Sequence, residues 1–283
     1  MYEYPVLAKL LRWGIMTFVF ARWATGVGLG ILAAMSSATY IVNTDFESNP
    51  IGALNGQAST GPNPWLSTGA TVVNTGPTQG SQAVNYTSTL APGAFDHHSR
   101  VNLVTSGGVT IPPGWTLKAS VDVYSDPNTP DNFTGLAMWS NTHTAEHSLF
   151  GISGGWAFAG GRHGTGPTAP ILGHWANPPY QGWRTISLLV TQTSANTLTT
   201  TYLLDGNPFT WNGAVYNTHV DSVGLSNLAF DFSLVTMNFG TASGAITGIY
   251  DNYRVELVPE PTGFVATVLG LLTLAKRRRS KQL

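Results

Sequence analysis

The feature that most constrains the fold is a strict two-residue alternation near the middle of the chain. Residues 117–123 read "LKASVDV", in which every second residue is apolar: Leu117, Ala119, Val121 and Val123. Successive side chains of a β-strand point to opposite faces, so this pattern places the four apolar groups on one side. No helical period of useful length competes with it between residues 39 and 258. The body of the chain is therefore expected to form sheets.

A second pattern predicts a long central hairpin. The stretch "WRTISLLVTQTSANTLTTTYLLDGNPF", residues 183–209, has two β-prone runs around the turn "SAN", and it ends in the turn signal "DGNP". Further strands are predicted in "ATVVN", "QAVNYT", "RVNLV", "FTGLAMW", "HSLFGIS", "LAFDFSLVTMNFG" and "GIYDNYRVEL". Ten or more short strands without a linker or repeat predict one all-β domain, an antiparallel β-sandwich.

Composition excludes several classes of function. Charged residues make up 10% of the chain and the net charge is -1, so there is no electrostatic basis for nucleic-acid binding. Hydrophobic residues make up 42%, including nine Trp, which is enough to bury a core. The chain has no Cys, which excludes a disulfide framework, a thiolate zinc site and a cysteine nucleophile.

The N-terminus predicts export. An apolar run ends in "SSA", residues 36–38, which supplies the small residues that a signal peptidase reads. Arg22 interrupts the apolar run, and a true start at Met16 would place it in the basic region before an apolar segment at 23–35. Residues 1–38 are thus expected to be a signal peptide. The alternative is an uncleaved membrane anchor, and either one carries the body of the protein across a membrane.

The C-terminus, residues 258–283, reads "VPEPTGFVATVLGLLTLAKRRRSKQL". Its apolar run, 262–275, is expected to be a helical transmembrane segment, although a full span needs about 20 residues. The basic cluster that follows is expected to remain on the cytoplasmic side. The body would then be held only transiently on the outer face of the inner membrane.

These parts, in this order, resemble the PEP-CTERM sorting signal of bacterial envelope proteins. The residues that carry the resemblance are Pro259, Glu260, Pro261, Arg277, Arg278 and Arg279. The resemblance implies recognition by a membrane transpeptidase, exosortase, and removal of the tail. It also implies an envelope, surface or extracellular-matrix location in a Gram-negative-type, polysaccharide-producing bacterium. It implies nothing about the chemistry of the body.

The body, residues 39–257, carries a weaker resemblance at its two ends. "YIVNTDFESNPIGALNGQ" is similar to the opening strand of bacterial jelly-roll modules, and "IYDNYRVEL" to their closing strand. The central hairpin is similar to that of laminin-G and concanavalin-like sandwiches. These likenesses do not separate a concanavalin-like jelly roll from a galactose-binding-like one, and the former is favoured. Both alternatives pair the first strand with the last and bring Glu47 near Asp251.

This pairing predicts a structural calcium ion, which first and last strands often share in the jelly rolls that the chain resembles. Asp45, Glu47, Asp251 and Asn252 supply the oxygen ligands that calcium prefers. Asp45 and Glu47 would share a strand face, whereas Asp251 and Asn252 would point to opposite faces, so Glu47 and Asp251 are favoured. The alternative is that these groups accept hydrogen bonds from loop amides.

No catalytic residue is predicted. "HTAEH", residues 143–147, fits the inverted zinc-protease motif, but no amphipathic helix flanks it, which favours a polar strand–turn–strand edge. The glutamates of the body, Glu47, Glu146 and Glu256, are far apart in sequence, and the compact acidic strand of concanavalin-like glucanases is absent. "DHHSR", residues 96–100, and "GGRHGTG", residues 160–166, are interpreted as polar loops.

The aromatic residues are more suggestive than the acids. "GHWANPPYQGW", residues 173–183, combines Trp175, Tyr180 and Trp183 with polar groups that can bond sugar hydroxyls. A core role for each ring is the alternative. The sequence thus predicts an exported, non-enzymatic sandwich that binds extracellular polysaccharide or acts structurally. The alternative is a secreted glycan-active enzyme, either a hydrolase or a lyase.

Overall fold

All the secondary structure described in the computed structural model is β. The structure describes residues 39–103, 109, 111–112, 115–126, 132–140, 146–153, 156–162, 164–165, 171–176, 182–194, 197–221 and 230–259. Within these ranges no helix is long and apolar enough to span a membrane. The apolar helical segments predicted at both termini, like most of "HTAEH", lie outside the described residues.

The strands follow one another closely along the chain. In order they are β1 (Thr39–Thr44), β2 (Gly52–Ala53), β3 (Trp65–Ser67), β4 (Thr71–Val73), β5 (Ala83–Leu90), β6 (Phe95–Val101), β7 (Trp115–Ser125), β8 (Asn132–Ser140), β9 (Glu146–Ser153), β10 (Trp156–Arg162), β11 (Gly164–Thr165), β12 (Ile171–Ala176), β13 (Gly182–Ser194), β14 (Thr197–Leu204), β15 (Asn207–Pro208), β16 (Thr210–Trp211), β17 (Ala214–Val215), β18 (Asn217–Asp221), β19 (Phe230–Asn238) and β20 (Gly244–Pro259).

The strands form two large sheets and a small hairpin. The larger sheet has the order β11-β18-β14-β13-β7-β20-β5-β4-β2, with β1 also paired to β20 and β15 to β14. The smaller sheet has the order β12-β10-β9-β8-β19-β6-β3, and β16 pairs with β17. The described pairs are antiparallel except β11 with β18, which is parallel. One buried core contains side chains of both sheets, which confirms the predicted sandwich of jelly-roll type.

The alternation in β7 determines which face of the larger sheet is buried. Leu117, Ala119, Val121 and Val123 have no exposed surface, as predicted. Full burial of a Val or Leu side chain contributes about 1.5–3 kcal/mol. Asp122, on the opposite face, is also buried, because Thr185 of β13 and Asn252 of β20 donate hydrogen bonds to its carboxylate from both sides.

The closing strand, β20, connects the two ends of the body. Its first half pairs with β5, and its second half pairs with β7 on one side and β1 on the other. The predicted pairing of first and last strands is therefore confirmed. The β20–β7 register shifts between Asp251 and Arg254, and Asn252 has a φ of 49° within this bulge.

The interpretation of "DHHSR" as a polar loop is wrong, because residues 96–100 lie within β6. Here the alternation is carried by polar side chains. His98 points into the core, where it is 1% exposed, and His97 bonds to Ser233 of β19. A strand whose inward position is a histidine cannot be recognised from an apolar period.

His98 belongs to a buried polar connection between the sheets. Its ring stacks on Tyr86 with centroids 3.9 Å apart. The Tyr250 hydroxyl donates to the Val235 carbonyl at 2.6 Å and lies 3.2 Å from Nε2 of His98. The tyrosine oxygen can therefore accept from Nε2–H, which leaves Nδ1 to accept from the Ser99 hydroxyl at 2.9 Å. This places the imidazole proton on Nε2.

Burial, and secondarily the neighbouring His97, lowers the pKa of His98 to about 3 from 6.5. The unfolded chain therefore binds a proton below pH 6.5 that the folded chain does not. The stability due to neutral His98 is complete above pH 6.5 and is lost as the pH falls towards 3, at about 1.4 kcal/mol per pH unit.

We predict that His98→Gln lowers the free energy of unfolding at neutral pH but flattens its decrease in acid. Wild type should lose about 3 kcal/mol more than the variant between pH 6.5 and pH 4. Urea unfolding at both pH values measures this difference. His97→Gln is the control and should retain most of the wild-type decrease, because burial is the main cause of the lowered pKa of His98. Parallel pH profiles for wild type and His98→Gln would contradict the assignment.

Candidate functional site

The outer face of the smaller sheet gathers polar and charged side chains. On β19, Phe232 and Leu234 point into the core, so Asp231 and Ser233 occupy the opposite face. The neighbouring strand β6 contributes two partners there. Arg100 Nε lies 4.0 Å from Asp231 Oδ2, and the same strand places His97 Nδ1 3.0 Å from Ser233 Oγ.

In the Arg100–Asp231 pair only the aspartate is held tightly. Asp231 is 5% exposed, and its Oδ1 accepts a hydrogen bond from the Phe232 amide at 2.8 Å. The Arg100 side chain is 33% exposed, and the pair is longer than a hydrogen bond. Arg100 can therefore turn towards an anionic ligand, whereas Asp231 is fixed by the backbone.

A second acidic residue lies in the same row of the sheet. The register pairs Asp231 with Trp139 of β8, and Trp139 with Glu146 of β9. Neighbouring strands are about 4.8 Å apart, so the backbones of Asp231 and Glu146 are about 10 Å apart. Side chains reaching from such positions can flank a sugar, as glycosidase carboxylates do. The side chains of Trp139 and Glu146 lie outside the described part of the structure.

Aromatic packing covers the rest of this face. Phe133, Phe158 and Phe239 meet with ring centroids 5.6–6.1 Å apart, and they pack with Val235 in a second small core. Phe133 and Val235 have no exposed surface, so this part of the sheet is not an open platform. Trp156, at the start of β10, is 40% exposed and is available to a ligand.

The predicted sugar-binding aromatics are distributed over both sheets. Trp175 lies in β12 of the smaller sheet, where its backbone pairs with Phe158. Trp183 lies in β13 of the larger sheet, is half-buried, and packs against Tyr124 with centroids 5.6 Å apart. Tyr180 and the side chain of Trp175 lie outside the described residues. The two strands that carry this motif, β12 and β13, belong to different sheets, which a linear motif does not reveal.

The predicted calcium residues of the opening segment lie in a turn. β1 ends at Thr44, and Phe46 follows with a φ of 62°, so Asp45 and Glu47 are not in the strand that the alternation argument assumed. The Glu47 carboxylate accepts hydrogen bonds from the Ser81 hydroxyl and from the amides of Ser81, at 2.9 Å, and Gln82, at 3.2 Å. The pKa of Glu47 is lowered by these bonds. Asp45 Oδ1 accepts from the Glu47 amide at 3.2 Å.

The closing strand brings the other two predicted ligands to the same loop. Asp251 accepts hydrogen bonds from the amides of Asn252, at 2.7 Å, and Gln79, at 3.4 Å. The Asn252 side chain donates to Asp122, at 2.8 Å, and to the Gln79 side chain, at 3.0 Å. The expected separation of Asp251 and Asn252 onto opposite faces fails because the bulge breaks the alternation at Asn252.

Three carboxylates thus surround the loop at residues 77–82. Asp251 is directly opposite Asp122 in the register, and the charges of Asp122 and Glu47 add to the effect of burial on Asp251. Together they raise the pKa of Asp251 to about 6. The folded protein binds this proton more tightly than the unfolded chain, so Asp251 opposes stability as the pH rises from about 4 to about 6. Among the described residues no group of three His, Cys, Asp or Glu is arranged as a metal site.

The sorting-signal residues lie at or beyond the end of the sandwich. Pro259 is the last residue of β20 and pairs with Trp115 of β7. Glu260, Pro261 and the arginines at 277–279 lie outside the described residues.

No family model and no curated protein matches the sequence. Among solved structures, the endo-β-1,4-glucuronan lyase of the fungus Trichoderma reesei is similar over 77% of this chain and 95% of its own, at 15% identity and a TM-score of 0.50. An endo-1,3-β-glucanase from Streptomyces sioyaensis is similar over 78% and 89%, at 11% identity and a TM-score of 0.38. A protein of unknown function from Shewanella oneidensis is similar over 81% and 93%, at 16% identity and a TM-score of 0.43.

The prediction that the protein is not an enzyme is therefore wrong. It treated a β-sandwich without a compact acidic strand as a binding or structural scaffold. The sandwich of this chain is a scaffold that a glycan lyase also has. The register moreover brings Asp231 and Glu146, distant in sequence, into one row. Glu146 lies on β9 and Asp231 on β19, and β8 separates these strands in the sheet. The order of the residues in the sequence therefore does not show that they share a row.

Calcium at the loop of residues 77–82 stays a prediction. A divalent ion would relieve the repulsion among Glu47, Asp122 and Asp251, so calcium should raise the melting temperature. An ion bound only to the folded state, at 100 times its dissociation constant, adds about 2.7 kcal/mol. The double variant Glu47→Gln, Asp251→Asn should lose this response, and Glu256→Gln should keep it. A wild-type melting temperature that is equal in calcium and in chelator would exclude the ion.

Proposed function

We propose that the protein is an exported glycan-cleaving enzyme whose reactive groups lie on the outer face of the smaller sheet. The observation that carries the proposal is the row shared by Asp231 and Glu146, two strands apart. In a hydrolase of this design one carboxylic acid protonates the leaving oxygen. The other carboxylate activates water or attacks the sugar. The scaffold is of the concanavalin-like type.

The neighbouring groups have supporting roles in this proposal. The Phe232 amide fixes the Asp231 carboxylate, and Arg100 places a positive charge beside it. His97 is held by Ser233 on the same face. Trp156, exposed at the end of β10, offers a ring on which a sugar can stack.

A lyase is the second candidate, and the His97 and Arg100 positions favour it. Arg100 would neutralise the carboxylate of a uronic acid, and His97 would remove the proton from the carbon next to it. The bond from the following carbon to the glycosidic oxygen would then break as the double bond forms, and the proton that His97 has taken would be passed to the leaving oxygen. The likeness to the glucuronan lyase supports a test of polyuronates as substrates. The two reactions leave different products, since a lyase creates an unsaturated sugar end and a hydrolase does not.

We predict that Asp231→Asn and Glu146→Gln each lower the rate of glycan cleavage about 100-fold or more, the usual contribution of a general acid or base. Neutral β-glucans and polyglucuronate are the substrates. New reducing ends and the ultraviolet absorbance of unsaturated ends are both measured. Glu256→Gln is the matched control, because Glu256 pairs with Lys118 at 2.9 Å in the larger sheet. Full activity of Asp231→Asn, or no cleavage of any glycan by wild type, would overturn the proposal.

We also propose that a signal peptidase and an exosortase process the two ends, and that the mature protein remains in the envelope, at the surface or in the matrix. The sorting motif resembles PEP-CTERM signals. The last strand ends at Pro259, so loss of the tail would spare every pairing of the sandwich. The protein would then be retained in the polysaccharide matrix of such a cell, and that polysaccharide would be its substrate.

In a host with exosortase, the envelope-associated protein should lack the residues after about Pro261. Intact mass spectrometry measures this. Replacement of Pro259, Glu260 and Pro261 by Ala should leave the unprocessed chain in the membrane fraction. A mature species that still carries Arg277, Arg278 and Arg279 would contradict this assignment without bearing on catalysis.

A further inference from the structure

A small pocket lies at one corner of the sandwich, apart from the outer-face site. It has a volume of about 170 Å³ and is lined by residues from the end of β7, the beginning of β8 and the first half of β20. The residues that matter to its chemistry are Pro77, Tyr124, Asp126, Asn132, Thr247 and Ile249. Both sheets contribute to its wall.

The pocket exists because a strand pairing stops. β20 pairs with β7 from Pro259 back to Tyr250, which is opposite Val123. From Ile249 to Gly244, β20 pairs with β5 on its other side, while the end of β7 continues to pair with β13. The larger sheet therefore opens between β7 and β20, next to Thr247 and Ile249. An opening that is set by sheet topology is already formed before a ligand arrives.

The aromatic wall of the pocket is held in place from outside. The Tyr124 ring meets Trp183 edge-on, with centroids 5.6 Å apart and ring planes at 68°. The two residues face each other in the β7–β13 register, so their backbones are fixed as well. Trp183 is thus a positioning residue for Tyr124.

We propose that this pocket binds one neutral sugar residue, at the end of a glycan chain or free. Tyr124, Ile249 and Pro77 offer an aromatic and apolar surface for the C–H face of a pyranose ring. Asn132 and Thr247 offer amide and hydroxyl groups for its hydroxyls. The volume lies below the roughly 300 Å³ of the smallest drug-sized sites, so the pocket is of a size for a single sugar ring.

The negative charge of the pocket should favour neutral sugars over acidic ones. Asp126 is the one ionisable acid or base among its described lining residues, Tyr124 aside. A carboxylate accepts hydrogen bonds from sugar hydroxyls, but it repels the carboxylate of a uronic acid. Neutral hexoses should therefore bind better than glucuronate. This selectivity does not rest on the proposed catalytic function, since the pocket and the Asp231 row use different residues.

The test uses the full-length protein with glucose, galactose and N-acetylglucosamine as probes, and glucuronate as the charged comparison. Saturation-transfer NMR and calorimetric titration measure binding. At least one neutral sugar should bind, and Tyr124→Ala should weaken its binding at least about fivefold. Tyr124→Phe keeps the ring and should bind nearly as wild type. Trp211→Ala removes another exposed ring, 41% exposed, and should have no effect.

Asp126→Asn provides a second, independent outcome. It should raise the affinity for glucuronate relative to the neutral sugars, because the repulsion is removed while the hydrogen-bonding group remains. Melting temperatures confirm that each variant is folded. Wild type that binds no neutral sugar would overturn the proposal. So would sugar binding that Asp231→Asn abolishes and Tyr124→Ala leaves unchanged, because the sugar would then occupy the outer face.

Discussion

The structure depends on the pairing of β20 with three other strands. Its first half is bonded to β5, and its second half lies between β7 and β1. The opening strand β1, the central strand β7 and the β5 region are therefore aligned by one segment near the end of the chain. Contacts so distant in sequence form late and slowly, because the loops that they close are long. The last strand must be present before the larger sheet is complete.

The same strand creates both of the unusual polar regions of the larger sheet. The register places Asp251 opposite Asp122, and the bulge turns Asn252 so that its side chain bonds to both Asp122 and Gln79 of the loop at residues 77–82. A few residues earlier, the end of pairing with β7 opens the corner pocket beside Ile249. Irregularities in a sheet usually serve a site, because regular pairing leaves neither room nor free polar groups. Here the bulge lies where charged side chains gather, and the end of the β7–β20 pairing leaves space for the pocket.

Much of the fold could be predicted from the sequence, because apolar alternation and turn residues report burial directly. The strand at residues 117–123 and the hairpin after Trp183 were predicted in this way and confirmed. β6 was missed because His98 occupies the inward position, where a neutral buried imidazole replaces an apolar side chain. Bulges were missed for a related reason, since an inserted residue such as Asn252 changes the face without changing the composition.

The candidate site was less predictable than the fold. Asp231 and Glu146 come together through the register of three strands, which depends on the whole sheet and not on a local motif. His97 and Arg100 were noticed as polar residues, but their roles required knowing that β6 lies beside β19. The pocket depends on where two strands cease to pair, and no residue type marks that place. The candidate site therefore depends on the register of strands distant in sequence, whereas the fold follows from short-range sequence patterns.

The position of β20 has a mechanical consequence. A strand bonded on both sides, pulled along its axis from Pro259, must break its hydrogen bonds to β7 and β1 together, because those bonds lie across the direction of pull. An edge strand peeled from its end would lose its bonds one at a time. The C-terminal end of the sandwich therefore resists such a pull better than an edge strand peeled from its end would. A force from a swelling or flowing matrix, applied at that end, would pull β20 parallel to its neighbours and load the sheet in shear.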